Sequence, residues 1–333
     1  MKAIVYSNYG SPDVLRYAEI DKPTPGDDEV LIKVRAASVN PLDWKLMKGG
    51  PFIVRMLLGL GKPKIKRPGV DVAGQVEAVG RNVIQFKPGD EVFGTCRGAF
   101  AEYAIAGSML GMKSVLVVKP NNVTFEQAAS APVAALTALQ GLRDKGRIQP
   151  GQSVLINGAA GGVGTFAVQI AKLFGANVTG VCSTRNVDIV RSIGADRVID
   201  YTHENFTTNR HSYDLLFDCV GNHSLSACRR VLKPRGRLVM VGAPGDASLI
   251  GLLARLLGAL LLSPLLGQKM LFFIAKINKE DLTTLRDLMA NRELTPVIDR
   301  NYSLSETAEA FRYMEEGHAR GKVVITLEHD HET

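Results

Sequence analysis

Cysteine is scarce in this chain: four in 333 residues, with no C-x₂-C pair. That excludes a scaffold built on disulfides. Charge of one sign is never concentrated. Forty Lys and Arg against 33 Asp and Glu leave +7, and the basic clusters Lys62-Pro63-Lys64-Ile65-Lys66-Arg67 and Arg229-Arg230 are short. With no finger spacing and no basic stripe interleaved with aromatics, no nucleic acid is expected as a partner. The excess charge suits a solvated face, or steering of an anionic ligand such as a phosphorylated cofactor. The N-terminus, Met1-Lys2-Ala3-Ile4-Val5, opens no long apolar run ending in a small-residue cleavage site, so a cytoplasmic, reducing setting is expected. Apolar residues at 46% exclude a disordered chain, and the 33 Gly lack the strict period of a collagen.

What is present is organised in two parts. The first 120 or so residues read as strands and turns. Val30 to Ala36 follows the turn Pro25-Gly26-Asp27-Asp28, Asp71 to Gly80 is a second strand run, and Lys87-Pro88-Gly89-Asp90 feeds Glu91 to Gly94. Phe100–Ala104 and Val115–Lys119 add two more. Strands this short and close suggest a small, closed or nearly closed β domain. The period changes at Thr124-Phe125-Glu126-Gln127, a capping-box pattern that opens an Ala- and Leu-rich helix to Leu142, with Pro132 as a point of division.

From Gln152 the pattern is βαβ. Strands are expected at 153–157, 177–181, 197–199, 213–219 and 237–241, with helices at 163–174, 187–193 and 224–232 between them. These strands lack polar alternation, which describes a parallel sheet covered on both faces. A helix over 281–289, a second capping box at Ser303-Leu304-Ser305-Glu306 and a strand over 321–327 close the chain.

The strongest motif is Asn157-Gly158-Ala159-Ala160-Gly161-Gly162-Val163-Gly164, between an expected strand and an expected helix. That is the setting a dinucleotide-binding turn requires. Ala159, Gly161 and Gly164 hold the three motif positions. Gly161 lets the backbone approach a pyrophosphate, and Gly164 lets helix pack on strand. Ala160, Gly161, Gly162 and Val163 are the candidate phosphate contacts at the positive end of the helix. Roughly 20 residues on, the end of the second strand carries Cys182-Ser183-Thr184-Arg185-Asn186 and no acid before Asp188. A hydroxyl and a guanidinium there suit the 2′-phosphate of NADPH better than the bare ribose of NADH.

Together these residues resemble the zinc-independent quinone oxidoreductase branch of the medium-chain dehydrogenase/reductase superfamily. The resemblance covers nearly the whole chain. It runs through Met1-Lys2-Ala3-Ile4 with Tyr9-Gly10, Glu29 to Val34, Ser38-Val39-Asn40-Pro41-Leu42-Asp43, Gly69 to Gly80, Pro88 to Val92, Ala134 to Ala138, Ala159 to Gly164 and Gly321-Lys322-Val323-Val324. It implies an α/β protein: a GroES-like β-barrel catalytic domain over 1–123 and 297–333, and a Rossmann doubly wound parallel sheet over 124–296. The active site would be the cleft between domains, and the C-terminal strand would pair with the first part of the chain. By the same resemblance Asn40 and Asp43 belong to the active-site loop. Thr137 and Lys322 lie on the nicotinamide side, as does the strand-end loop Val241-Gly242-Ala243. Ser183, Arg185 and Tyr201 surround the 2′-phosphate. A homodimer is implied.

No metal is expected. The zinc-dependent branch uses Cys and His ligands, and this chain has Ser38 at the Cys position and Gly69-Val70-Asp71 where Gly-His-Glu is usual. The four cysteines are expected as buried or partly buried thiols. Without a Lewis acid, oxidation of a simple alcohol is hard. Hydride addition to a quinone or an α,β-unsaturated carbonyl needs only orientation and donors for the developing negative oxygen. Asn40 and Lys45 are the candidate donors, Asp43 orients Asn40 or the cofactor, and Lys322 is a candidate for the cofactor ribose. As a plain turn, Asn40 before Pro41 needs no chemistry, and Trp44 fits core or cleft wall as well as substrate contact. The expectation is an NADPH-dependent oxidoreductase of quinones or enones. The alternative is an NADPH-binding redox-sensing or interaction module with little turnover.

One stretch stands apart. From Ala247 to Gly267 the only charge is Arg255, and Met270-Leu271-Phe272-Phe273-Ile274 continues the apolar run. Its length approaches a bilayer crossing, but the central Arg255 and Pro264 argue against one. It is expected as an apolar insertion over about 247–277: buried helices, a lid over the pocket, a dimer contact, or weak membrane-surface contact through 247–274.

Overall fold

Seven of the nine residues of Val30–Ser38 are buried along β3, the strand around which the first half of the molecule is organised. The computed structural model describes residues 1–49, 62–63, 66–109, 112–208, 211–242 and 267–328. Two compact units result: Met1–Ala134 with Ile277–Thr333, and Ala135–Lys276. The exchange points differ from the expected 123/124 and 296/297. The helix Phe125–Ser130 packs on barrel strands, and the helix Lys279–Ala290 packs beside the strand Leu116–Val118, so both stay with the first unit.

In that unit β1 (Lys2–Val5) pairs with β2 (Arg16–Glu19). The main sheet holds β3, β4 (Asp71–Val79), β5 (Glu91–Thr95), β6 (Tyr103–Ala106) and β9 (Leu116–Val118), with Ser108–Met109 and Met112–Lys113 forming a small pair, β7 and β8. β16 (Ile298–Ser303) and β17 (Lys322–Thr326) complete it, in the order β16-β17-β3-β4-β5-β9, with β6 also on β3. The expected return of the C-terminal strand is there: β17 runs antiparallel to β3, Val324 opposite Ser38. Close backbone approach needs glycine at Gly94, where φ is +153° and a Cβ would lie 1.9 Å from the Val115 carbonyl oxygen. Inside, Phe100 meets Phe311 edge-on at 5.8 Å.

α1 (Pro41–Lys48) follows β3 directly, with Pro41 at its first position. α2 (Phe125–Ser130) is opened by the expected Thr124–Gln127 capping box, and Pro132 divides it from α3 (Pro132–Gln140). α3 runs into a π-type turn, Gly141–Gly146, closed by Arg147 at φ +50°. α7 (Lys279–Ala290) and α8 (Thr307–Glu315) come later, after the described helices of the second unit.

The second unit is a parallel sheet of β10 (Ser153–Asn157), β11 (Asn177–Cys182), β12 (Arg197–Asp200), β13 (Tyr213–Asp218), β14 (Leu232–Met240) and β15 (Lys269–Phe272), ordered β12-β11-β10-β13-β14-β15. Its helices are α4 (Gly162–Leu173), α5 (Val187–Ser192) and α6 (Leu225–Arg230). The chain reverses its winding between β10 and β13, the switch point where such sheets take ligands. β15 is a sixth strand beyond the five expected. It corrects the reading of Met270 to Phe272 as part of a lid: Met270 is buried in the sheet's core cluster. Residues 247–266, and with them most of the expected insertion and membrane contact, lie outside the described residues. Among the described residues no helix is long and apolar enough to cross a membrane.

Candidate active site

One candidate site is the turn after β10. Gly158, at φ +82°, bends the chain out of the strand, and Gly161 caps α4 without any side-chain hydrogen bond. The first N–H groups of α4 therefore have no side-chain cap. A Cβ on Gly164 would stand 2.0 Å from the Gly158 carbonyl oxygen, so only glycine lets α4 lie against β10. A Cβ on Gly161 would touch nothing closer than 3.4 Å and would project into the open space before the helix. Ala160 is buried, and Gly161, Gly162 and Val163 are half-buried around that space. An uncapped helix start with an open glycine face fits a pyrophosphate.

The neighbouring strand ends carry the other candidates. Ser183, half-buried, follows β11 and accepts a hydrogen bond from the Asn186 amide at 3.1 Å. Arg185 is exposed in the short turn Thr184–Asn186. Tyr201, 58% exposed, follows β12, whose Asp200 sits beside Cys182 in register. Asp200 went unnoticed in the sequence. Its carboxylate accepts from Thr202 N–H at 2.9 Å and Thr202 Oγ1 at 2.8 Å, and these bonds with that from Thr184 hold it below the usual carboxylate range. At the switch point Asp218 ties two strands together. It accepts from Asn157 Nδ2 (2.9 Å) and from the N–H groups of Val220 (3.1 Å) and Gly221 (2.8 Å). Its carbonyl holds the N–H groups of Val241 (3.0 Å) and Gly242 (3.2 Å). Ala243 lies outside the described residues. Thr137 is half-buried in α3.

A second candidate site is a buried polar cluster in the barrel unit. Asn40 is the N-cap of α1, in a reciprocal box with Asp43: the Asn40 N–H donates to Asp43 Oδ2 at 2.9 Å. Asn40 is therefore more than a turn residue. Its Nδ2 donates to Asp71 Oδ2 at 2.9 Å, and its Oδ1 accepts from Lys322 Nζ at 2.7 Å. Ser38 Oγ donates to the same Asp71 oxygen at 3.1 Å. Asn40, Asp43, Asp71 and Lys322 are each no more than 3% exposed. Burial drives the Asp43 carboxyl up to about 7, Asp71 adding to the push while the Asn40 N–H and Lys322 oppose it. Burial lowers Lys322, which the Asp71 and Asp43 charges hold up. Lys322 thus stands with Asn40, in the unit that does not carry the nucleotide turn. Lys45 is exposed on α1 and apart from this cluster. Trp44 packs on the barrel core, its indole N–H donating to Glu315.

Ser38, at the Cys position of the zinc branch, is bonded to Asp71, which follows Val70 at the His position. Among the described residues no group of three His, Cys, Asp or Glu could hold a metal ion. Cys96, Cys182 and Cys228 are buried, Cys219 is half-buried, and burial pushes the Cys96 and Cys219 thiols well up and that of Cys182 to about 11.

Comparison with known proteins agrees with this geometry. Residues 26–136 match the alcohol dehydrogenase GroES-like domain, and residues 193–325 match the family described as zinc-binding dehydrogenase. The chloroplastic quinone-oxidoreductase of Triphysaria versicolor is 36% identical, with 98% of each chain covered. The chloroplastic NADPH-dependent alkenal/one oxidoreductase of Arabidopsis thaliana is 35% identical over 98% of this chain and 79% of its own. The structure of the quinone oxidoreductase from Coxiella burnetii superposes with a TM-score of 0.83 at 30% identity, covering 98% of this chain and 99% of that one. These relatives correct the expected cytoplasmic setting. The two plant proteins are chloroplastic, and the NAD(P)H oxidoreductase of Bos taurus, 34% identical, is mitochondrial. With such identity over nearly its full length, the chain belongs to the zinc-independent, quinone oxidoreductase-like branch of the medium-chain dehydrogenase/reductase superfamily and is a hydride-transferring NAD(P)H-type oxidoreductase.

Proposed function

We propose that this enzyme uses NADPH to reduce quinones or α,β-unsaturated carbonyls without a metal. The observation that carries this reading is the barrel cluster, where a buried ammonium, Lys322, donates to Asn40 beside the Asp71 carboxylate. The relatives named for quinones and for alkenals and enones point the same way. The nicotinamide, when bound, supplies the hydride. The turn from Ala160 to Val163 holds the phosphates against the start of α4, and Asp218 fixes Val241 and Gly242 beside the switch point. Ser183, Arg185 and Tyr201 hold the 2′-phosphate. Lys322 stabilises by donation the negative oxygen that develops as the acceptor takes hydride, and Asn40, whose oxygen accepts from Lys322, orients that ammonium. Lys45, being exposed, is left a role in drawing the acceptor in.

The test is cofactor oxidation across a panel of quinones, enones and simple alcohols. Turnover of quinones or enones is expected, and turnover of simple alcohols alone would remove the reading. Tight NADPH binding with no turnover on any acceptor would favour the sensing module instead. For the cofactor, Arg185→Ala is expected to reduce the NADPH over NADH preference by about tenfold or more, since it removes a charged, bidentate partner. Equal affinities for both nucleotides in the wild type would sink the NADPH assignment. We also propose a homodimer, tested by light scattering of the purified chain, with a monomer as the contrary result.

A further inference from the structure

Neither the sequence motifs nor the resemblance gives Asp71 a part in catalysis, yet the buried cluster converges on it. Its carboxylate is reached from four elements. Ser38 Oγ donates from the end of β3 at 3.1 Å, and Asn40 Nδ2 from the cap of α1 at 2.9 Å. Val133 N–H donates from the first turn of α3 at 3.2 Å, and Lys322 Nζ at the start of β17 lies 3.9 Å away. Asp71 is 0% exposed. All four groups are donors, the arrangement an ionised carboxylate requires and a protonated one wastes.

The consequences fall on two neighbours. A carboxylate only accepts, so the Asn40 amide must turn its NH₂ toward Asp71 and its oxygen toward Lys322. An ammonium carries three N–H bonds, and Lys322 spends one on Asn40 Oδ1 at 2.7 Å and a longer one on the Val39 carbonyl at 3.4 Å. At least one N–H has no short partner among the described residues. Buried this deeply, Lys322 loses its proton unless an anion stays beside it. Two carboxylates face it: Asp43 from α1 and Asp71 from β4. Burial raises the Asp71 carboxyl as well as that of Asp43, but Lys322, Asn40, the Val133 N–H and Ser38 all hold Asp71 down. With these donors on it, Asp71 is the better-supported counter-ion of Lys322. Tyr6 and Cys96, which face the same acids, are pushed up by burial and stay neutral, and Arg67 and Arg97 act on Cys96.

We propose that Asp71 is a positioning residue: it keeps Lys322 protonated and locks the Asn40 amide with its oxygen toward Lys322, so that the ammonium meets the reacting oxygen in one arrangement. The inference rests on the function proposed above for Asn40 and Lys322.

The test compares wild type with Asp71→Asn and Asp71→Glu. The charge of Lys322 is followed by NMR of ¹³C-labelled lysine, with Lys322→Ala giving the assignment. In the wild type a protonated Lys322 is expected at neutral pH. In Asp71→Asn the titration midpoint of Lys322 should fall by about one unit or more, the scale on which a nearby opposite charge acts. With it, kcat on the quinone or enone panel should fall about tenfold or more and its alkaline limb should move to lower pH. KM for NADPH should stay within about twofold, and Asp71→Glu should restore most of kcat and the wild-type limb. A neutral Lys322 amine in the wild type at neutral pH overturns the proposal whether or not the Asn variant folds, and so does an unmoved midpoint in a folded Asn variant. The NMR readout needs no turnover. A wild type inactive on quinones and enones, with the Lys322 shift intact, would remove the functional reading and leave the pair standing.

Discussion

At the scale of single residues, the buried acid Asp43 gives the molecule a pH dependence with a definite sign. In the unfolded chain an aspartate titrates near 3.9. In the folded protein burial drives Asp43 up to about 7. Between those values the unfolded chain has already released a proton that the folded one keeps, so stability from this group is complete below about pH 4 and is lost as pH rises toward 7. A shift of roughly three units corresponds to about 4 kcal/mol at most. Asp43→Asn retains an acceptor for the α1 cap and abolishes the titration. Its melting temperature is expected to fall less than that of the wild type between pH 5 and pH 8, and parallel profiles would sink the assignment. The same residues show how far sequence reaches. Asn40 and Asp43 were legible only through the resemblance of the loop Ser38 to Asp43; their cap-box spacing went unread. Asp71 was not, because its partners are 31, 33, 62 and 251 positions away and are brought together only by the β3–β4 and β3–β17 pairings and by the packing of α3. Lys322 was legible as a functional residue but was placed with the cofactor, and the register of β17 puts it beside Asn40.

At the scale of elements, the β10–α4 turn separates two uses of glycine that one motif conceals. Gly164 is there for packing: a Cβ would meet the Gly158 oxygen at 2.0 Å and Ala159 backbone at 2.9 Å. Gly164→Ala is expected to destabilise the protein by about 1–3 kcal/mol, as forced overpacking does. Gly161 is not needed for packing, and on the proposed function it is there for the ligand. Its φ of −81° suits any residue and its Cβ would have room. Gly161→Ala is expected to leave stability within about 0.5 kcal/mol of wild type, since it disturbs no packed contact, and to weaken NADPH binding about tenfold or more by crowding the phosphate. Denaturant melts and calorimetric titration of both variants check this, and equal stability losses would refute the division. Periodicity found the βαβ order because helices and strands there are long enough to show it. It missed α1, whose start signal was Asn40-Pro41 with Asp43, and β15, a four-residue strand inside an apolar run where helix and strand look alike.

At the scale of the whole molecule, the chain leaves the barrel unit after Ala134, completes the parallel unit through Lys276, and returns at Ile277. The six described strands of the parallel sheet thus come from one continuous stretch, whereas the barrel sheet needs both ends of the chain. β17 lies between β16 and β3, and its Val323, Val324 and Ile325 are fully buried. Ending the chain at Gly321 removes that strand together with Lys322. The barrel core should fail while the parallel unit keeps its own pairing. The single Trp, Trp44, lies in α1 of the barrel unit, so its fluorescence reports that unit alone, while far-ultraviolet circular dichroism reports both. In the full chain NADP⁺ at about 100 times its Kd should stabilise the unit that binds it by about 2.7 kcal/mol, moving the dichroism transition more than the Trp44 one. In the truncated chain the cooperative Trp44 transition should vanish, and the dichroism transition with its NADP⁺ shift should survive. Loss of both transitions together would show that the parallel unit depends on the barrel for its fold.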